Sequence, residues 1–198
     1  MNKGFLMGLA IVVGIIAIFA LMFGGTYNSL VTAEEQVSEA WSQVENVYQR
    51  RLDLIPNLVE TVKGYAAHER ETLEKVVEAR SKITQMNISP KVFNDANALT
   101  QFEQAQQGLS SALSRLLVVV EQYPDLKANQ NFLALQSQLE GTENRIAVER
   151  RRFNEVARNF NTMIRVFPKN IVARWTGFQR KSYFAADEGA RVAPKVKF

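Results

Sequence analysis

Cysteine is absent from the 198 residues, which excludes disulfides, a thiolate nucleophile and cysteine-ligated zinc. Histidine is nearly as scarce. The single copy, His68, cannot supply a histidine-rich metal centre within one chain, and the di-iron type of bundle core needs two Glu-x-x-His pairs. On composition, only a carboxylate site for a hard cation stays open. There is no glycine-rich phosphate loop and no Ser/His/Asp arrangement either. The sequence therefore predicts no catalytic residue, no metal ligand and no cofactor.

What is present is helix-forming and unevenly charged. The net charge is +4, yet residues 27–88 carry ten acidic against seven basic side chains, and residues 168–198 carry two against seven. Arginines 145, 150, 151, 152 and 158 wrap one segment, but Glu149 and Glu155 are interleaved with them and no stacking aromatics accompany them. No nucleic-acid partner is expected.

From Phe5 to Phe23 the run "FLMGLAIVVGIIAIFALMF" has no charged or strongly polar residue. As a helix it spans about 28 Å, close to the hydrocarbon thickness of a bilayer. Phe5, Leu6, Ile11, Val12, Ile15, Ile16, Phe19, Leu21 and Phe23 are its lipid-facing candidates. The run is longer than a signal-peptide core, and no A-x-A-like cleavage site closes it, so an uncleaved anchor is predicted over residues 1–26. Lys3 and the free amine are the only charges before the run. After it come Glu34, Glu35 and Glu39, with no basic residue until Arg50, so the positive-inside rule favours a cytoplasmic N-terminus and an extracytoplasmic, periplasmic domain.

Beyond the anchor, apolar residues recur in steps of three and four. One stripe runs from Leu30 through Val37, Trp41, Val44, Leu52, Ile55, Val59 and Val62 to Ala66. A second runs from Leu99 to Tyr123, and a third from Phe132 to Phe167. Pro124 and Pro168 end the last two. Long helices that are apolar on one side must bury those sides against each other. An all-α fold follows, an elongated antiparallel bundle over residues 27–185 joined almost directly to the anchor, with an interruption expected only near Gly24, Gly25 and Thr26. Residues 84–97 are expected to turn the first long helix into the second, with Asp95 or Asn94 as N-cap. Ile171, Trp175, Phe178 and Phe184 are expected to anchor one short helix on the bundle, ahead of an extended basic tail over 186–198.

The segment "RRLDLIPNLVETVKGYAAHE" gathers charge around a proline inside a stripe that stays in phase on both sides. A kinked long helix is the plain reading of Pro56, and a new helix beginning there is the alternative. Asp53, Asn57 and Glu60 share a face, while His68 falls in the charged run "HERETLEK" and is expected to be solvated. Glu143 falls in the apolar phase between Leu139 and Ile146. A carboxylate there needs a cationic partner, for which Arg51 and Arg115 are the candidates, and a pair fixing helix register is the expected outcome.

The stretches "YNSLV", "AWSQVENVYQRRLDLIPNLVETVKGYAAHE", "LSRLLVVVEQYPDLKANQNFLALQSQLEGTENRIAVERRRFNEVARNFNT" and "FPKNIVA" resemble the bacterial LemA family over nearly the whole chain. Glu45 and Tyr48 stand where aspartate and glutamine are frequent in the family. The resemblance implies a single-pass membrane protein with an antiparallel helical-bundle domain. It marks Arg51, Asp53, Pro56, Asn57, Glu143, Asn144 and Arg145 as family-motif positions without assigning them a reaction.

These readings predict a non-enzymatic scaffold in the bacterial inner membrane, whose partners are the bilayer, further copies of itself and unidentified proteins. Gly8 and Gly14 offer close-approach points on the membrane helix. The alternative is an assembly that shapes or contacts the membrane, with Lys195 and Lys197 of the tail meeting anionic lipid. A carboxylate metal or enzymatic site in the bundle core ranks below both.

Overall fold

The computed structural model describes residues 3–86 and 92–185. Among these residues, six α-helices follow one another: α1 (Lys3–Tyr65), α2 (Arg70–Gln85), α3 (Ala96–Val120), α4 (Pro124–Lys127), α5 (Gln130–Met163) and α6 (Lys169–Thr176), with a 3₁₀ turn at Val92–Asn94. There is no strand among the described residues.

The 63 residues of α1 form one helix, about 95 Å long at the usual rise. It passes through Gly24, Gly25 and Thr26 without the interruption that the sequence predicts there. Each glycine weakens a helix by about 1 kcal/mol relative to alanine, but propagation across two such residues is cheaper than nucleating a second helix. The apolar residues from Phe5 to Leu21 are exposed and are not covered by the bundle. Among the described residues, α1 is the one helix long and apolar enough to cross a membrane.

Pro56 lies inside α1, exposed, and the helix continues for nine residues beyond it. Having no N–H, it leaves the Leu52 carbonyl without its helical donor. Arg80 of α2 takes that place, its Nε donating to Leu52 O at 3.0 Å. The proline thus opens a carbonyl that docks the neighbouring helix.

The chain first reverses at Ala66–Glu69, ahead of the turn at 84–97 that the stripe predicts. Ala66 and Leu73 are both buried and lie seven residues apart, two helical turns, so apolar phase runs straight through the reversal. Tyr123 Oη donates to Glu69 Oε1 at 3.0 Å and ties this turn to the end of α3. Asp95 caps α3, accepting from the N–H groups of Asn97 and Ala98. Pro124 opens α4 at its first turn, and Asn129 caps α5 through the Phe132 N–H.

The result is an up-down-up-down bundle of α1, α2, α3 and α5 in which α1 and α3 point the same way because α2 lies between them. Of these four, α2 is the short one. It covers the part of the bundle far from the membrane run, where Leu52, Ile55, Leu58, Val62, Val76, Leu109, Leu116 and Phe132 form one core. Nearer the membrane run, a second core gathers Val37, Trp41, Val44, Phe93, Phe102, Phe153, Phe160 and Phe184.

That second core is closed by an extended strap, residues 178–185. Gly177 sits at φ +80°, a conformation suited to glycine, and lets the chain turn back from α6. Two asparagines of α5, seven residues apart, then grip the strap alike. Asn161 donates Nδ2 to Lys181 O and accepts from Lys181 N, both at 2.8 Å; Asn154 does the same with Phe184, at 3.0 and 2.9 Å. Lys181 is buried, its ammonium bonded to Glu34 and Asn94 and lying 5.0 Å from the centre of the Phe160 ring. Ile171 and Trp175, expected to anchor α6 on the bundle, face outward. The buried residues are instead Val172 and Ala173, against Leu30.

Candidate functional site

A polar seam crosses the bundle between the two cores. On α1, Tyr48, Arg51 and Leu52 fall on successive buried positions, so the stripe that supplies Val44 and Ile55 also carries one guanidinium inward. Arg51 is 2% exposed and its Nη2 donates to Ser110 Oγ of α3 at 2.7 Å and to Glu143 Oε1 of α5 at 2.9 Å. One buried cation thus ties three helices together.

Glu143 does not occupy the core position that its spacing predicts. Its side chain is 47% exposed, and Thr142 takes the buried position instead, bonding back to the Gln138 carbonyl. The mean helical period of 3.6 lets either residue follow Leu139, and the smaller, self-satisfied one goes inside. The alternative partner, Arg115, is exposed and lies beside Lys75, Glu78 and Lys82 of α2, away from Glu143. Asn144 and Arg145 are exposed as well. Asp53 accepts from Gln49 on the outer face of α1 at 2.8 Å, and Asn57 is exposed one turn further on. Of the family-motif positions, Arg51 and Glu143 are the two that meet. His68 is exposed in the α1–α2 turn.

Two turns nearer the membrane run, Arg150 of α5 donates to Glu103 Oε1 of α3 at 2.9 Å and to the Ala185 carbonyl at 3.0 Å, and stacks over Phe184 at 4.9 Å. Glu103 in turn accepts the Ala185 N–H at 3.1 Å. Spacing alone could not reveal this pair, because it is completed by a strap far away in sequence.

Tyr48 lies between the two arginines. Burial pushes its phenol up to about 12, against the opposing pull of Arg150 and Arg51. Burial also lowers the Arg51 guanidinium, against Glu143, which raises it. A small recess of about 250 Å³ opens beside these groups, lined by Tyr48, Arg51, Gln106, Ser110, Glu143 and Arg150. Gln106 is buried with neither amide atom hydrogen-bonded, and Trp41 Nε1 and Arg51 Nε are likewise buried without partners. Such groups lower stability relative to an apolar filling.

In the seam the phenol is neutral at ordinary pH and the cations are paired with carboxylates, while His68 lies apart, beyond the end of α1 at Tyr65, itself about 21 Å along the helix axis from Arg51. Among the described residues no three carboxylates or histidines gather closely enough to hold a metal ion. Lys195 and Lys197, expected to touch lipid, lie outside the described residues.

Comparison with known proteins adds a consistent pattern. Residues 40–198 match the LemA family. The protein LemA of Metamycoplasma hominis is 28% identical over 177 residues, 89% of this chain and 77% of that protein. The magnetosome protein MamQ of Magnetospirillum gryphiswaldense is 32% identical over 174 residues, and magnetosome protein MamQ 2 of Paramagnetospirillum magneticum is 29% identical over 174; each alignment covers 80% of this chain and 64% of the relative.

Proposed function

The chain belongs to the LemA family, and from that premise we propose that it is a non-enzymatic, membrane-anchored scaffold whose rigid bundle presents a binding surface at a fixed height above the bilayer. The observation that supports this is α1. One unbroken helix runs from the apolar span into both cores of the bundle, so no linker lets the domain swing. From Phe23 to Tyr65 it reaches about 63 Å.

Self-association is part of this reading. Gly8 and Gly14 lie on the span with open space where a Cβ would project, so a second span can approach closely there. The N-terminus is cytoplasmic and the bundle extracytoplasmic, in the inner membrane of a bacterium. That side follows from Lys3 against the acidic flank of residues 34–39, since the rule counts basic residues close to the span in sequence.

The test is the native mass of the full-length protein in lipid nanodiscs, with pull-down from membranes solubilised in mild detergent. A discrete oligomer that Gly8→Leu disperses, or a reproducible partner lost on surface substitution of the bundle, supports the scaffold. A monomer that captures nothing overturns it.

A further inference from the structure

We propose that α6 is a lipid-contacting foot: its outer side lies in the headgroup boundary of the leaflet from which α1 emerges and prefers anionic lipid. The proposal rests on the reading of Phe5–Phe23 as a membrane span.

The inner side of α6 is settled by its contacts. Val172 and Ala173 pack on Leu30, Lys169 Nζ donates to Ser29 Oγ at 3.2 Å, and beyond the helix the Phe178 ring meets Tyr27 at 6.0 Å. The opposite side carries the most exposed rings of the bundle. Trp175 is 84% exposed and Phe167 79%, with Ile171 between them at 52%. Ile171 and Trp175, four residues apart on α6, share this side, and exposed Phe167 and Val166 lie in the turn that leads into the helix.

Position decides what covers this patch. The Trp175 ring lies edge-on to Phe23, 6.4 Å between centroids, and Phe23 is the last residue of the apolar run. The patch is therefore continuous with the surface of α1 that faces hydrocarbon. Since Lys169 meets Ser29 while Trp175 meets Phe23, α6 descends along α1 toward the membrane, with Trp175 deepest. A tryptophan at the end of a span sits where its apolar ring and polar N–H are both satisfied, at the edge of the headgroup layer.

Charge sets the lipid preference. Between Glu155 and Asp187 the chain has no acidic residue, whereas Arg165, Arg174 and Arg180, all exposed, lie on or flank α6 in sequence. Basic side chains at that height are drawn to an anionic surface. They are remote in sequence from the span, so they act on the folded protein without entering the topology rule.

The experiment uses the two tryptophans of the full-length protein in nanodiscs of phosphatidylglycerol and phosphatidylcholine, with bromine on the acyl chains near the headgroup. Trp41→Phe leaves Trp175 as the reporter. Trp175→Phe leaves Trp41, buried and about 27 Å further along α1. If Trp41→Phe does not fold, wild type minus Trp175→Phe gives the same signal. The expected result is loss of most Trp175 emission to brominated lipid, none from Trp41, with weaker quenching in pure phosphatidylcholine and on Arg174→Gln with Arg180→Gln. Protein that stays in the discs with Trp175 unquenched overturns the foot while leaving the span intact. Trp175 shielded from aqueous quencher only when two copies share a disc overturns it in favour of a second chain. Failure to enter discs at all overturns the span itself.

Discussion

The half of the bundle far from the membrane run is filled with aliphatic side chains, Phe132 being the one ring among its buried members, whereas the near half is built on Trp41, Tyr48, Phe93, Phe102, Phe153, Phe160 and Phe184. The contrast follows from what closes each half. In the far half, α2 lies alongside α1 and α3, and helix ridges pack closely with leucine and valine. In the near half α2 has ended, and a 3₁₀ turn and the strap must cover the gap. Rings fill that wider space: Trp41 stacks on Phe184 at 5.8 Å and meets Phe102 and Phe153 edge-on. The far half is thus closed by α2, which adjoins α1 and α3 in sequence. The near half depends on residues 178–185 returning to Asn154 and Asn161.

The strongest way to break the comparison is Phe184→Ala, which removes the stacked ring and should cost about 3–5 kcal/mol. Hydrogen exchange should show amides around Trp41 and Phe153 losing protection while those around Leu116 keep theirs. Uniform loss in both halves would mean that they are a single cooperative unit.

Alkaline pH should also act on the near half. With its folded value raised to about 12, Tyr48 holds its proton more tightly in the folded protein than in the unfolded chain. Its contribution is complete below about pH 10 and is lost as pH climbs through about 12, on the order of 2 kcal/mol. Denaturant midpoints of wild type and Tyr48→Phe should diverge over that window, with wild type falling more steeply.

At the seam, the two halves of the Arg51–Glu143 pair should respond unequally. Glu143→Gln leaves a guanidinium buried without its counter-ion and should cost about 1–3 kcal/mol, whereas Arg51→Met fills the space and leaves only a carboxylate that water already reaches, and should be nearly neutral. Equal losses in urea melts would show that the pair behaves as a surface salt bridge.

The far half is sharpened by its proline. Arg80→Ala should cost about 1 kcal/mol by stranding the Leu52 carbonyl. That cost should shrink in a Pro56→Ala background, where the alanine supplies the N–H that the proline lacks and restores the helical bond. Additive effects in urea melts of the single and double variants would mean that Arg80 is not replacing the missing donor.

The sequence makes the helices legible because their stripes are long and their stops are chemically marked: Asp95 caps α3 and Pro124 ends the run after Val120. The reversal at Ala66 is hidden because its spacing preserves apolar phase. Arg51 is identifiable as a charge close to the stripe. Glu143 is easily misplaced because Thr142 fits the same phase at lower cost. The strap is least legible, since a segment held by Asn154, Asn161 and buried Lys181 has no periodicity to read. The outward side of α6 is obscured for a related reason: an apolar residue that faces outward has the same signature as one that faces the core.

The most direct test of a rigid scaffold is the distance from the membrane to the bundle tip. Spin labels at Gly24 and at exposed Gly64, with the full-length protein in nanodiscs, should give one narrow distribution at about 60 Å, the length of about 40 residues of continuous helix. A broad or shorter distribution would place a hinge in α1 and contradict the account.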